Sequence, residues 1–180
     1  GLKDILLTYN IIGKQKIEPL VQLARQTKLS VAIDNEVALA TIAQAAKLAE
    51  TTISLLIEFE SGNERVGVQT PQEALELAQK IQQQPFITFE GLMTYPCDKQ
   101  VEPFVTQAKH VFAKSGITIN TVSAGGTPGM WDVHEVQGIT ELRAGTYIYN
   151  DRHIVGSGTA ILDECATHVH ATVTSRPTEN

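Results

Sequence analysis

The sequence contains 180 residues, a length typical of one domain, and carries a formal net charge of −6. Hydrophobic residues make up 42% and charged residues 19%, a balance that excludes a disordered or fibrous chain. The 14 basic residues are scattered among 20 acidic ones, so nucleic acid is not an expected partner. There is neither an apolar run of membrane-spanning length nor a signal-peptide pattern, so no membrane association is expected.

The cysteines and the two ends bear on location and completeness. Cys97 and Cys165 are too few for a disulfide framework, which predicts a reducing compartment and a cytoplasmic protein. The sequence opens on Gly1, and residues 167–180 alternate like a strand that enters a sheet and then stops. Because an unpaired strand invites aggregation, we expect the sequence to be a piece of a longer protein. A complete domain with frayed ends is the alternative.

Short apolar runs alternate with amphipathic stretches along the chain. The pattern predicts strands over residues 4–9, 30–33, 54–60, 86–93, 117–122 and 141–149. It predicts helices over residues 14–27, 37–48, 71–83 and 101–115, with 124–140 irregular. The third helix has the clearest start, because Thr70 and Glu73 form a capping box with Pro71 at the first helical position.

The order of these elements predicts an α/β fold with parallel strands. Helical crossovers separate the strands, and such connections are right-handed. An open doubly wound sheet and a (β/α) barrel both fit this order. Strands of ~5 residues and repeats of ~25–30 residues favour the barrel, and about six units against its usual eight predict an incomplete one. In either architecture, functional residues are expected where strands end.

A glycine-rich run, residues 123–127 (SAGGT), is the first candidate site. Glycines let successive backbone N–H groups converge on one anion, and serine or threonine hydroxyls add donors. Gly145, Thr146 and Tyr147 form a second small-residue strand end, within the segment 141–149, and are expected to close the other side of the anion site. An ordinary turn is the alternative for each run. Two such runs after consecutive strands predict a site for a small phosphorylated ligand, although not a nucleoside-triphosphate P-loop.

Two arginines near the ends of predicted strands are the second candidate feature. Arg65 follows the strand over residues 54–60, and Arg143 lies in the last predicted strand. A planar guanidinium donates to a phenolate or a ring acceptor with fixed geometry. The alternative for Arg65 is an ordinary ion pair with Glu60 or Glu64, and the spacing does not decide between them.

Three runs carry a resemblance to a known family: residues 57–67 (IEFESGNERVG), 123–128 (SAGGTP) and 141–151 (ELRAGTYIYND). Together with 91–95 and 169–177, they resemble the D-threonine aldolase and D-serine dehydratase-like family. Members of that family are fold-type III enzymes that use pyridoxal 5′-phosphate (PLP) and have the alanine racemase type of barrel. The resemblance covers essentially the whole chain, with the segments in the right order.

The resemblance implies a (β/α)8 TIM-type barrel of the alanine racemase kind, followed by a β-rich C-terminal domain. Residues 1–152 would form part of the PLP-binding barrel, and residues 153–180 would begin the C-terminal β domain. It also implies a divalent metal, Mn or Zn, in the full-length enzyme, with its ligands outside this chain. A homodimer is a further expectation from the family.

The resemblance also implies roles for individual residues. Arg65 would contact the phenolic oxygen of the cofactor, and Arg143 would face its pyridine nitrogen. The remaining cofactor-binding residues would hold the phosphate, namely Ser123, Gly125, Gly126, Thr127, Gly145, Thr146 and Tyr147.

The Schiff-base lysine is not expected in this chain. In the family it lies on the first barrel strand inside a basic motif that contains histidine, and no such motif occurs here. No metal ligand is assigned to this chain either. His134, in the loop beyond the glycine-rich run, is the candidate for contact with the substrate.

The expected function is a PLP-dependent lyase acting on D-amino acids with a β-hydroxyl group. Retro-aldol cleavage, as in D-threonine aldolase, and elimination, as in D-serine dehydratase, both remain open. One alternative is a non-catalytic protein that handles PLP, although the run 169–177 argues against a barrel without a β domain. Another is an alanine racemase-type racemase, which needs a base on each face of its substrate, and no convincing pair occurs. An inert remnant is the last alternative.

Overall fold

The computed structural model of the protein describes residues 1–178. Its strands are β1 Asp4–Leu7, β2 Lys28–Ile33, β3 Ile53–Glu58, β4 Ile87–Thr94, β5 Thr121–Gly125 and β6 Glu141–Arg143. Its α-helices are α1 Ile17–Ala24, α2 Glu36–Ala49, α3 Pro71–Gln82, α4 Val101–Lys114 and α5 Arg152–Gly156. Two single-turn 3₁₀ helices, Thr127–Gly129 and Val133–Glu135, replace an α-helix between β5 and β6.

The six strands form one sheet in the order β1-β2-β3-β4-β5-β6, and every neighbouring pair is parallel. A doubly wound sheet reverses its strand order at one point, whereas a barrel adds each strand to the same side. The sheet therefore has barrel topology, and it curls into a half-barrel. The predicted fold class is confirmed.

Side-chain hydrogen bonds fix the starts of α2 and α3. The Asn35 side chain accepts a hydrogen bond from the backbone N–H of Ala38 at 2.9 Å and so begins α2. At α3 the Thr70 hydroxyl accepts from the N–H of Glu73 at 3.2 Å, as the sequence predicts. The Glu73 carboxylate accepts from the N–H of Gln69 at 2.8 Å, one residue earlier than in the predicted capping box.

The sheet is buried on both faces, as a parallel sheet requires. Val31, Ile57 and Leu92 point outward into the main core, where they pack with residues of the covering helices such as Phe112. On the opposite face, a second apolar cluster of Leu6, Ala32, Leu56 and Met93 fills the inside of the half-barrel. This inner layer separates polar groups at the two ends of the strands.

A polar network lies at the beginning of the strands, below that apolar layer. The Lys28 ammonium donates to Glu90 Oε1 at 2.8 Å and to Asp4 Oδ2 at 3.3 Å. The Ser30 hydroxyl donates to Glu90 Oε2 at 2.7 Å. Partial burial acts to raise the pKa of Glu90, but the hydrogen bonds from Lys28 and Ser30 outweigh it and lower the pKa overall.

Three predicted strands differ from the structure. The strand predicted over 117–122 lies instead at Thr121–Gly125, and the strand predicted over 141–149 ends at Arg143, where Gly145 and a 3₁₀ turn at Thr146–Ile148 follow. Residues 167–178 form no strand and are exposed, because alternation alone does not make a strand where no neighbouring strand pairs with it. Residues 179–180 lie outside the described part, and the proposed boundary at residue 152 stays a prediction.

None of the helices in the described part of the chain has the length and apolar character of a membrane-spanning segment.

We predict that Glu90→Gln makes unfolding less sensitive to acid. A carboxylate with a lowered native pKa stabilises the fold above its unfolded pKa of about 4.3, and this contribution fades as the pH falls through the native value. At pH 7 we expect a loss of about 1 kcal/mol in the free energy of unfolding, because Lys28 is half exposed. Urea titrations at pH 7 and at pH 3 measure the difference, which should nearly vanish at pH 3.

The control is Glu76→Gln, on the exposed side of α3. An equal loss of stability at pH 7 and pH 3 in Glu90→Gln would contradict the assignment of this network.

Candidate functional site

A cavity of about 400 Å³ opens at the carboxyl edge of the sheet. Five of the six strands contribute to it, directly or through the residues that follow them. Its lining consists of Thr8, Glu58, Arg65, Met93, Tyr95, Gly125 and Arg143. Parallel strands gather their carboxyl ends at one edge, which is where (β/α) barrels place their sites.

Arg143 is anchored across two neighbouring strands. Its Nη1 donates to the Ser123 hydroxyl at 2.6 Å, and its Nη2 donates to the carbonyl oxygen of Thr94 at 2.9 Å. The Ser123 hydroxyl in turn donates to Glu141 Oε1 at 2.5 Å. Burial lowers the pKa of Arg143, although a guanidinium remains protonated at neutral pH in any case. Arg143 is therefore a fixed positive charge beside the cavity.

The glycine at position 125 is a requirement of this arrangement. A Cβ built on Gly125 would lie 2.8 Å from Arg143 Nη2 and 3.0 Å from the Tyr95 ring. Any side chain at position 125 would therefore displace the guanidinium or the ring. The glycine-rich run thus makes room for protein groups as well as for a ligand.

The loop after β3 presents Arg65. The Glu60 carboxylate closes this loop by accepting the backbone N–H groups of Gly62, Asn63 and Arg65 at 2.6, 2.6 and 2.8 Å. Burial works against these bonds, but together they hold the pKa of Glu60 below its usual range. Glu60 therefore binds the backbone of Arg65 and not its guanidinium.

The guanidinium of Arg65 lies 5.0 Å from the centroid of the Tyr95 ring, a cation–π distance. Among residues 1–178, it forms no ion pair within 4.0 Å, so the alternative of a pair with Glu60 or Glu64 is wrong. The side chain lines the cavity while the residue as a whole is exposed.

The two small-residue runs lie next to each other. The Thr127 hydroxyl oxygen accepts from the backbone N–H of Tyr147 at 3.1 Å, and the N–H of Gly126 donates to the carbonyl oxygen of Arg143 at 3.2 Å. Gly145 borders open space, because a Cβ there would meet nothing within 4 Å. The residues predicted to hold a phosphate are thus gathered beside Arg143, although their contact with a cofactor stays a prediction.

Ser123 occupies a different environment from the rest of its run. It is fully buried, and Glu141 and Arg143 both contact its hydroxyl. In this structure its hydroxyl anchors Arg143 and is not presented to the cavity surface. The Ser123 hydroxyl proton is therefore already donated to Glu141, and a contact between Ser123 and a phosphate stays a prediction.

Glu58 is a site residue that the sequence analysis missed. It is the last residue of β3, its exposure is 4%, and it lines the cavity with both arginines. Burial raises the pKa of Glu58, and the positive charge of Arg65 opposes that shift. The signal that reveals it is strand alternation, since Leu56 two residues earlier points to the inner face.

His134 is not among the residues that line the cavity. It lies exposed on the 3₁₀ turn Val133–Glu135, so contact with a substrate stays a prediction.

Cys97 is buried beside the glycine-rich run, and its backbone N–H donates to the carbonyl oxygen of Gly125 at 2.7 Å. Burial raises the pKa of the Cys97 thiol. No cluster of three His, Cys, Asp or Glu residues suited to a metal occurs within residues 1–178.

We predict that Ser123→Ala destabilises the protein by about 1–3 kcal/mol, because the change leaves two partly buried charge-assisted hydrogen bonds unmade. Chemical unfolding followed by circular dichroism measures the loss. Ser54→Ala is the matched control: its hydroxyl pairs with the Thr88 hydroxyl at 2.9 Å near solvent, and a loss below about 1 kcal/mol is expected. Equal losses in both variants would contradict a special role for Ser123.

Comparison with known proteins shows which family the chain resembles in sequence. Residues 4–153 match the family model described as alanine racemase, N-terminal domain. The chain is 31% identical over 166 residues to a D-threonine aldolase from Arthrobacter sp., covering 84% of this chain and 44% of that protein. It is 28% identical over 167 residues to a 3-hydroxy-D-aspartate aldolase from Paracoccus denitrificans, covering 84% and 43%.

Solved structures show the same fold. A D-threonine aldolase from Filomicrobium marinum superposes with a TM-score of 0.78 at 23% identity, covering 83% of this chain and 44% of that one. A D-threo-3-hydroxyaspartate dehydratase from Delftia sp. HT23 gives 0.75 at 20% identity, covering 88% and 46%. This chain therefore spans less than half the length of these relatives.

Proposed function

Because the chain belongs to the alanine racemase N-terminal domain family, we propose that it is the cofactor-binding part of a PLP-dependent lyase acting on D-amino acids with a β-hydroxyl group. The observation that carries the proposal is the cavity in which Arg65 and Arg143 lie together beside two small-residue turns. The relatives named D-threonine aldolase and 3-hydroxy-D-aspartate aldolase support this class of substrate.

The residues of the cavity fit the chemical groups of PLP. The cofactor has a phosphate, a phenolic oxygen and a ring nitrogen, and the site offers hydroxyl, backbone N–H and guanidinium donors. Thr127 accepts a hydrogen bond from Tyr147 with its hydroxyl oxygen, and its own hydroxyl proton is left for a phosphate oxygen. Gly126, Gly145 and Thr146 would surround the same phosphate, with open space at Gly145.

The two arginines would orient the ring. Arg65 would donate to the phenolic oxygen and Arg143 to the ring nitrogen. Since a guanidinium has donors only and stays charged, Arg143 would face a ring nitrogen that carries no proton. The bound cofactor supplies an electron sink for the reaction, and the protein orients it and adjusts its charge.

We also propose that the Schiff-base lysine is not among the lysines of this chain, since no lysine lines the cavity in the described residues. A divalent metal, Mn or Zn, that polarises the β-hydroxyl remains part of the proposal, with ligands other than the residues of this chain. The cytoplasmic location and the homodimer stay predictions.

The proposal is tested with the protein as its cells produce it, supplied with PLP and Mn²⁺. Release of glycine and an aldehyde from D-threonine would establish an aldolase. Release of pyruvate and ammonia from D-serine, or of oxaloacetate and ammonia from a 3-hydroxy-D-aspartate, would establish a dehydratase. L-Threonine is the control and should give no product. Failure to bind PLP, seen as an unchanged cofactor spectrum, would overturn the proposal.

The 180-residue chain alone should not bind PLP covalently at one specific lysine. After incubation with PLP and reduction with borohydride, peptide mass mapping should find no lysine labelled stoichiometrically. The physical reason is that PLP in the cavity would have no amine within reach. One lysine modified in full, with the label prevented by Arg65→Met, would prove this prediction wrong.

A further inference from the structure

Glu58 is a buried acid that the proposed chemistry does not use. It is the last residue of β3. Its side chain points to the inner face of the sheet, as that of Leu56 does, while Ile57 and Phe59 point to the covering helices. Its exposure is 4%, and it shares one cavity with Arg65 and Arg143. The charges of both guanidinium groups therefore act on this carboxyl group.

The other acids around the cavity already have hydrogen-bond donors. Glu60 is held by the backbone of its own loop, as described above. Asp34 accepts from the Asn10 side chain at 2.9 Å and from the N–H of Gly67 at 3.2 Å. Glu141 accepts from the Ser123 hydroxyl. Each of these three carboxylates thus accepts hydrogen bonds from neutral donors.

Glu58 differs from them, because within residues 1–178 its carboxylate accepts no hydrogen bond and forms no ion pair within 4.0 Å. Burying a carboxyl without such a partner costs free energy, so the residue does not serve stability. The positive charges nearest to it are those that line the same cavity. A role in controlling them accounts for the presence of this acid.

The two arginines differ in how firmly they are held. Arg143 is fixed by Ser123 and by the carbonyl oxygen of Thr94. Arg65 is exposed, and its guanidinium contacts the Tyr95 ring without a fixed hydrogen-bond acceptor. A long side chain held only by a ring loses entropy when it is ordered by a ligand, and a fixed counter-charge reduces that cost.

We propose that Glu58 is a positioning residue for Arg65. Its carboxylate, fixed at the end of β3, draws the Arg65 guanidinium into the cavity, where it can meet the phenolic oxygen of PLP. It also balances the positive charge of Arg143. This inference rests on the proposed function, since it assumes that PLP occupies this cavity.

The electrostatics of the cavity support the same role. Burial raises the pKa of Glu58, Arg65 and Arg143 lower it, and Asp34 and Glu60 raise it. The two arginines therefore favour the charged form of Glu58 against the effect of burial. A carboxyl with a raised native pKa destabilises the fold once it ionises, so removing its charge should not weaken the protein at pH 7.

The test uses Glu58→Gln in the protein as its cells produce it, with Glu64→Gln in the adjacent loop as the matched control. PLP affinity is measured by absorbance titration, and stability by urea unfolding without PLP. We expect Glu58→Gln to weaken PLP binding about tenfold, the effect of losing one charge-assisted contact. Its free energy of unfolding should be equal to or higher than that of the unchanged protein. Glu64→Gln should change neither quantity.

A double-mutant cycle with Arg65→Met shows whether Glu58 acts through Arg65. If it does, Glu58→Gln should change PLP affinity less than about twofold in the Arg65→Met background. Independent, multiplying effects would overturn the inference, as would unchanged binding by Glu58→Gln or a loss of stability in that variant. If the unchanged protein binds no PLP, the proposed function fails and this inference fails with it. If the unchanged protein and Glu58→Gln bind PLP with equal affinity, only this inference fails.

Discussion

The geometry of the site depends on one close contact: the Arg143 guanidinium passes over Gly125, a residue without a side chain. The parallel register pairs Gly125 with Arg143 and places Ala124 beside Thr94. Arg143 therefore has to cross β5 to reach the carbonyl oxygen of Thr94 on β4, and a Cβ at position 125 would lie 2.8 Å from Nη2. Because position 125 is a glycine, the Arg143 side chain can pass over β5 and link β6, β5 and β4. The position of the charge then follows from the register of the sheet and not from a flexible loop.

The inside of the half-barrel is organised in layers of different polarity. At the beginning of the strands, Lys28 lies between two carboxylates, and at their ends Arg143 and Glu58 face the cavity. The apolar layer around Leu56 separates the two groups of charges. Each group of charges therefore contains acids and cations of its own.

The sequence allowed the order of the elements and the general position of the site to be predicted, because both rest on local signals. Apolar periodicity and the Thr70 cap located α3, and the small residues after the fifth and sixth strands located the turns beside the cavity. The exact strands were less predictable. β5 contains Ser123 and Gly125, residues that resemble a loop in sequence and lie in a strand because Arg143 packs against them. Glu58 was missed for a related reason: an acid at a strand end is interpreted as solvent-exposed until the curvature of the sheet encloses it.

The contrast between Arg65 and Arg143 gives the site a firm side and an adaptable side. Arg143 is fixed by the strands themselves, whereas Arg65 is carried on a loop whose backbone is closed by Glu60 and whose guanidinium rests near Tyr95. A ligand in such a cavity meets one preformed charge and has to order the other. Because ordering a side chain costs free energy, the affinity for the ligand depends on how far the cavity has already drawn Arg65 inward. The buried acid that shares the cavity with the two arginines is placed to control that cost, at some expense to the stability of the fold.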